Sequence, residues 1–139
     1  ISQMTETQGK IELEIVTPEK ILFNKSTDMV IVPGGEGDFG VLVGHAPFLS
    51  QVRPGTIDIY DGENVSVQIF VEGGMAEVTD NRCTILAEDA LMVEDIDKSV
   101  AEERLLKARA DQEANNDHVD GLDTSEVLVA EAQVLAANS

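Results

Sequence analysis

Over residues 10–91 apolar and polar positions alternate with the two-residue period of half-buried strands. Ile11, Leu13 and Ile15 alternate with Glu12 and Glu14, Ile57 and Ile59 flank Asp58, and Val65, Val67 and Ile69 enclose Ser66 and Gln68. Met29-Val30-Ile31-Val32 is a short apolar run stopped by Pro33-Gly34-Gly35. Turn residues separate the runs: Asn24-Lys25-Ser26, Asp61-Gly62-Glu63-Asn64, Gly73-Gly74 and Thr79-Asp80-Asn81. Short strands with turns about every 8–12 residues predict a sandwich or flattened barrel. No helical pattern intervenes, so its sheets are expected to be largely antiparallel.

After Asp95 the period changes. Asp97, or Ser99 with Glu102, is a candidate helix N-cap, and Ala101, Leu105 and Ala108 follow at i, i+4 and i+7 on a helix expected to end near Ala114. Asn115 to Gly121 reads as a loop, and Thr124 or Ser125 as the cap of a second helix. In that helix Val127, Ala130 and Val134 share one face, and Leu128, Ala132 and Leu135 the next. Two short helices joined by a loop predict an antiparallel hairpin, which must pack on something because helices of this length are marginal alone. The expected organisation is a flexible, polar start at 1–9, a β domain at 10–92 and a helical hairpin at 93–139.

Charge narrows the choice of partners. Lys and Arg total 9, Asp and Glu 27, for a net charge of −18. Such a chain is repelled by phosphate backbones and anionic lipid, which sets nucleic-acid binding and direct bilayer adsorption aside. No apolar run approaches the roughly 18 residues of a membrane-spanning helix, so any membrane link is expected to run through a protein. The first residue is Ile1 rather than Met, consistent with a missing or trimmed upstream segment. Cys83 is the only cysteine, within the apolar run Cys83-Thr84-Ile85-Leu86-Ala87, and reads as a buried strand residue. Asn64-Val65-Ser66 matches a glycosylation sequon but reads as the start of a strand.

Candidate chemistry is sparse. Gly35-Glu36-Gly37-Asp38-Phe39-Gly40 matches G-x-G-x-x-G. A dinucleotide site needs a helix to follow, so that its amides hold the pyrophosphate; here Gly44 and Pro47 interrupt the next stretch, and Glu36 and Asp38 would repel a phosphate. His45 and His118 have no partner at metal-ligand spacing. His45 reads as half-buried and structural, or as a contact residue at an interface, and His118 as a solvated loop residue. Glu88-Asp89 would point to opposite faces of a strand, poor geometry for acid–base work. No catalytic residue, cofactor or metal is therefore expected. Two segments remain, rich in glycine and apolar residues: 39–49 and 71–78. Loops of this kind on a rigid sandwich are binding surfaces more often than active sites.

At these segments the sequence resembles the ε subunit of bacterial F-type ATP synthases, called δ in mitochondria. Val16-Thr17-Pro18-Glu19 is similar to that family's first strand and turn. Pro33 to Leu42, then Gly44-His45-Ala46-Pro47-Phe48-Leu49 and Arg53-Pro54-Gly55, resemble its signature loop. Val71 to Val78 and Thr84 to Glu88 resemble its last two sandwich strands. The resemblance spans about residues 10–110. It implies a flattened antiparallel sandwich of about ten strands followed by the two-helix hairpin. It also implies a non-catalytic rotor part of the central stalk, coupling the γ subunit to the membrane c-ring during proton-driven ATP synthesis and meeting the α/β catalytic subunits transiently. The implied c-ring contacts are Asp38, Gly40, Val41, Gly44, His45 and Ala46, with Asp38 pairing a basic ring group; the implied γ contacts are Gly73, Gly74 and Met75. The implied location is the periphery of the cytoplasmic face of a bacterial inner membrane, or the matrix side of the mitochondrial one.

The hairpin departs from the pattern. Relatives that bind ATP there carry I/L-D-x-x-R-A, whereas this chain has Ile96-Asp97-Lys98-Ser99-Val100-Ala101, without the guanidinium that would hold phosphate in two bonds. Relatives that inhibit rotation carry a basic hairpin that meets an acidic β segment. From Ala110 to Ser139 this chain has no Lys or Arg but seven acids: Asp111, Glu113, Asp117, Asp120, Asp123, Glu126 and Glu131. The expected hairpin is a weak or absent inhibitor kept for packing. The competing reading is an acidic β-sandwich adaptor unrelated to the rotary machine.

Overall fold

The computed structural model describes residues 9–114 and 121–138, with side chains omitted over 121–125. Ten strands are followed by a single 3₁₀ turn and two helices: β1 (Ile11–Val16), β2 (Ile21–Thr27), β3 (Met29–Gly34), β4 (Gly37–Val41), β5 (Phe48–Val52), β6 (Gly55–Asp61), β7 (Asn64–Val71), β8 (Gly74–Val78), β9 (Arg82–Ala87), β10 (Ala90–Met92), the turn Val93–Asp95, α1 (Lys98–Ala114) and α2 (Gly121–Ala137). One continuous sheet runs β10-β7-β6-β3-β5-β8-β9-β1-β2, with β4 paired to β3 outside that path. The sheet curls into a nearly closed sandwich. All pairings are antiparallel except β1 with β9, where Glu12 to Val16 run alongside Arg82 to Leu86.

The alternation seen in β1 is realised residue by residue: Ile11, Leu13 and Ile15 are fully buried and Glu12 and Glu14 face outward. They meet Val30, Val32, Ile57, Ile59, Ile69 and Ile85 in one apolar core. Cys83 is part of it, and burial pushes its thiol up to about 12. β7 ends on three consecutive buried residues. Ile69 and Val71 point into the sandwich core, whereas Phe70 lies on the opposite face with Val129 and Ala136 of α2. Complete burial of a phenylalanine contributes about 2–3 kcal/mol, so Phe70 is the main apolar anchor of the hairpin.

Asp97 caps α1: its Oδ1 accepts the Ser99 amide at 2.9 Å and the Val100 amide at 3.2 Å. Ala101 and Ala108 are the buried residues of α1, and Ala108 packs with Leu105 against Val127 and Ala130.

Four local expectations change. Asn24-Lys25-Ser26 is not a turn but the exposed middle of β2. β2 is an edge strand whose sheet partner is β1, so polar residues are tolerated along it. The turn lies earlier, where the Thr17 amide donates to the Lys20 carbonyl. Thr124 and Ser125 do not start α2, because its backbone is already helical at Gly121. Leu128 and Leu135 are exposed rather than packed, at 53% and 73%; Val129 and Ala136 take the inner face instead. Glu88 and Asp89 lie in the β9–β10 turn, not on a strand. The expectations for residues 1–8, the 115–120 loop and His118 lie outside the described residues.

Candidate docking surfaces of the sandwich

Gly35 to Gly40 form a β-hairpin. Pro33 pairs with Asp38, Ile31 with Gly40 and Val30 with Val41, and a strand, not a helix, follows the glycines. The geometry that a dinucleotide fingerprint requires is therefore missing here. Gly37 takes a φ of 140° at the turn, which a side chain would oppose. β4 pairs with β3 alone, so its other edge stays open.

The six residues expected at the ring divide along this edge. Asp38 is turned to Arg53, whose Nη2 donates to its Oδ1 at 2.5 Å. Gly40 is exposed, and a Cβ there would meet nothing within 4 Å. Val41 is fully buried; its side chain anchors the strand from inside. Gly44 has a φ of 87° and donates its amide to the Asp80 carbonyl. His45 is half-buried: its Nδ1 donates to the Ala46 carbonyl at 2.6 Å, and its ring lies 6.2 Å from that of Phe48. Phe48 in turn stands edge-on to Phe39 at 5.2 Å. The anchor of Asp38 follows Val52, at one end of β5, and the loop from Gly44 to Ala46 leads to Phe48 at the other. Five strand residues separate these ends by about 13 Å, so the residues mark a line and not a point.

Of the three residues expected at γ, only Met75 has a side chain to offer. Gly73 is buried and its carbonyl accepts the Glu88 amide. A Cβ on Gly74 would lie 2.1 Å from the Leu86 carbonyl oxygen, at a φ of 150°. Both glycines allow close strand approach. Met75 is 38% exposed and pairs with Leu86, which is 56% exposed. Leu86 pairs with Val16 across the parallel ladder, and Val16 with Ile21, itself 58% exposed. An apolar row thus crosses the outward face of β8, β9, β1 and β2. Leu86 and Ile21 were missed in the sequence. The signal for Leu86 was present: Cys83, Ile85 and Ala87 point inward, which puts Leu86 outward in a run that looked uniformly buried.

A nearly closed sandwich of ten strands carries a helical hairpin laid on it. The family model for the delta/epsilon chain of ATP synthase, β-sandwich domain, matches residues 10–93. The chain is 47% identical over 131 residues to the ATP synthase epsilon chain of Paramagnetospirillum magneticum, covering 91% of this chain and 96% of that protein. It is 44% identical over 131 residues to the ATP synthase epsilon chain of Granulibacter bethesdensis, covering 94% of each. Its fold matches a chain in the cryo-EM structure of Euglena gracilis mitochondrial ATP synthase, OSCP/F1/c-ring in rotational state 1, with a TM-score of 0.80 at 23% identity over 92% of this chain and 81% of that one.

The chain belongs to the delta/epsilon chain family of ATP synthase. It is accordingly read as a subunit of that complex, and the unrelated-adaptor reading is not favoured. Among the described residues no helix is long and apolar enough to cross a membrane.

Proposed function

We propose that this chain is a non-catalytic rotor part that fastens the γ subunit to the c-ring, so that torque from proton flow reaches catalytic sites on other subunits. The observation that carries the reading is the pair of surfaces on one rigid sandwich. The open edge of β4, from Asp38 through Gly40 to the Gly44-His45-Ala46 loop, faces the polar loops of the c-ring. The exposed row Met75, Leu86 and Ile21 faces γ. Apolar side chains exposed together on a sheet mark a protein interface, and the glycine-lined edge lets another backbone come close. Contact with the α/β subunits is transient. Attachment to the membrane is peripheral, through these partners, on the cytoplasmic face in a bacterium or the matrix side in a mitochondrion.

The hairpin contributes packing and not inhibition. Val100, where ATP-binding relatives have arginine, is 60% exposed and offers no donor. Asp111, Glu113, Glu126 and Glu131 would oppose an acidic partner segment.

Reconstitution with γ and c-ring tests the assignment. Leu86→Asp is expected to abolish γ binding. Asp38→Lys with His45→Ala is expected to keep γ binding and lose coupling to the ring. Full γ affinity in the Leu86→Asp protein would remove the apolar row from the γ interface, and a wild-type chain with no affinity for γ would sink the whole reading.

A further inference from the structure

The apolar row on the outward face of the sandwich runs beside a gap. Gln51, Met75 and Leu86 stand side by side on β5, β8 and β9. Two positions along each strand, the next outward row is Arg53, Gly73 and Glu88. Val52 pairs with Gly74 and Gly74 with Ala87, and the Glu88 amide donates to the Gly73 carbonyl at 3.0 Å, so the register carries on past the strand ends. The middle member of this second row has no side chain. A groove results, floored by Gly73 and Gly74 and walled on one side by Met75 and Leu86. Its ends, Arg53 and Glu88, are two strand spacings apart, roughly 10 Å.

The two ends differ in how they are engaged. Arg53 turns away from the groove, held by Asp38 and the Gly34 carbonyl. Glu88 turns in: its Oε2 lies 3.2 Å from where a Cβ on Gly73 would stand. Glu88 is exposed, and among the described residues its carboxylate has no ion pair or hydrogen bond. Glu72, the other acid on the rim, is already taken, in two bonds, by Arg104 of α1, which Glu126 of α2 also meets.

We infer, on the assignment of the exposed apolar row to γ, that this groove receives a basic side chain of γ, with its aliphatic stem along Met75 and Leu86 and its cationic head on Glu88 above Gly73. A surface that covers Leu86 also takes water from Glu88, two residues away on the same face. A carboxylate stripped of water without a counter-charge is costly, so the covering surface must bring a cation with it. Lysine and arginine suit the shape, because they bury their stems on apolar surface and keep the head on a polar group. Gly73 supplies the room: a side chain there would fill the groove, at a φ of 123° that already favours glycine.

Titration of γ into the full chain at low and high salt tests the groove. Glu88→Gln keeps the shape of the side chain and removes its charge. It should weaken γ binding about tenfold or more at low salt and flatten the salt dependence. Glu88→Lys should weaken it further. Glu77 is the control: it lies on the same face, two residues from Met75 in the other direction, between Leu49 and Thr84. Glu77→Gln removes an equal charge and should cost about threefold or less. Thermal melts of all three variants should match wild type, because both carboxylates are exposed. Full γ affinity in Glu88→Gln, with Leu86→Asp failing to bind, overturns the groove and leaves the apolar row in place. Equal losses in Glu88→Gln and Glu77→Gln also overturn it, since general attraction between charged surfaces then explains both. Full affinity in both Glu88→Gln and Leu86→Asp removes the row together with the groove.

Discussion

Arg53 holds Asp38 at 2.5 Å while its other terminal nitrogen donates to the Gly34 carbonyl at 2.6 Å. The arginine thus braces the turn end of the β3–β4 hairpin from the β5–β6 turn. It also occupies the carboxylate that was expected to meet a basic group on a partner. With Asp38 60% and Arg53 44% exposed, the pair itself contributes about 1 kcal/mol or less. Asp38→Ala is therefore expected to cost about 0–1 kcal/mol. Arg53→Ala also strips a donor from a part-buried carbonyl and should cost about 1–2 kcal/mol. Urea denaturation of the two variants gives the order; equal costs would mean that the Gly34 bond contributes nothing.

Gly74 and Gly40 are expected to respond oppositely to the same change. An alanine at Gly74 drives its Cβ into the Leu86 carbonyl and Ala87, in a left-handed backbone region. The β8–β9 ladder must open, for a loss of about 3 kcal/mol or more. Gly40 has open space at its Cβ position and an ordinary φ, so Gly40→Ala should melt within a few degrees of wild type. That makes Gly40→Ala a clean probe of the ring edge: a coupling defect there reports lost contact, not lost fold.

Cys83 sets an alkaline limit. Burial lifts its thiol from near 9 to about 12. The folded state keeps the proton at pH values where the unfolded state gives it up. This contribution to stability is complete below about pH 9 and is lost as the pH rises toward 12. The slope approaches about 1.4 kcal/mol per pH unit. Cys83→Ala should show a flatter alkaline limb in pH-dependent thermal melts. In the native wild type, alkylation at pH 8 should be as slow as unfolding; rapid labelling would contradict the burial.

Removal of residues 98–139 should leave the ATPase rate of the reconstituted complex essentially unchanged, and titration of the intact chain with ATP should give no micromolar binding. The same deletion uncovers Phe70 and should lower sandwich stability by up to about 2–3 kcal/mol. Strong activation of ATPase by the deletion would mean that the hairpin brakes rotation despite its charge.

Period alone revealed the strands that have one wet and one dry face, such as Ile11 to Ile15. It failed at β2, whose middle, Asn24 to Ser26, touches no core and so carries no period. Glycine chemistry marked the β7–β8 link correctly but not its meaning: that Gly74 is pressed on Leu86 depends on which strand lies beside it. The same holds for Val41, which the family resemblance set among the ring contacts and whose side chain is fully buried in the core. Charge was legible as a total and opaque as a pattern. Nothing in the sequence around Arg104 says that Glu72 and Glu126, 32 and 22 positions away, converge on it.

The parallel ladder between β1 and β9 also bears on how the protein is made. β1 leaves the ribosome before the rest of the sandwich, and Arg82 to Leu86, which complete its pairing, come after most of the sandwich has been synthesised. At roughly 5–20 residues per second, the β1–β2 hairpin waits for several seconds. A lone two-stranded ribbon is barely stable in water, and Leu13 and Ile15 have no core to enter during that interval. The strands made first in the sandwich are thus among the last to be seated, and a stalled or truncated product ending before β9 presents a sticky β1–β2 ribbon to chaperones and proteases.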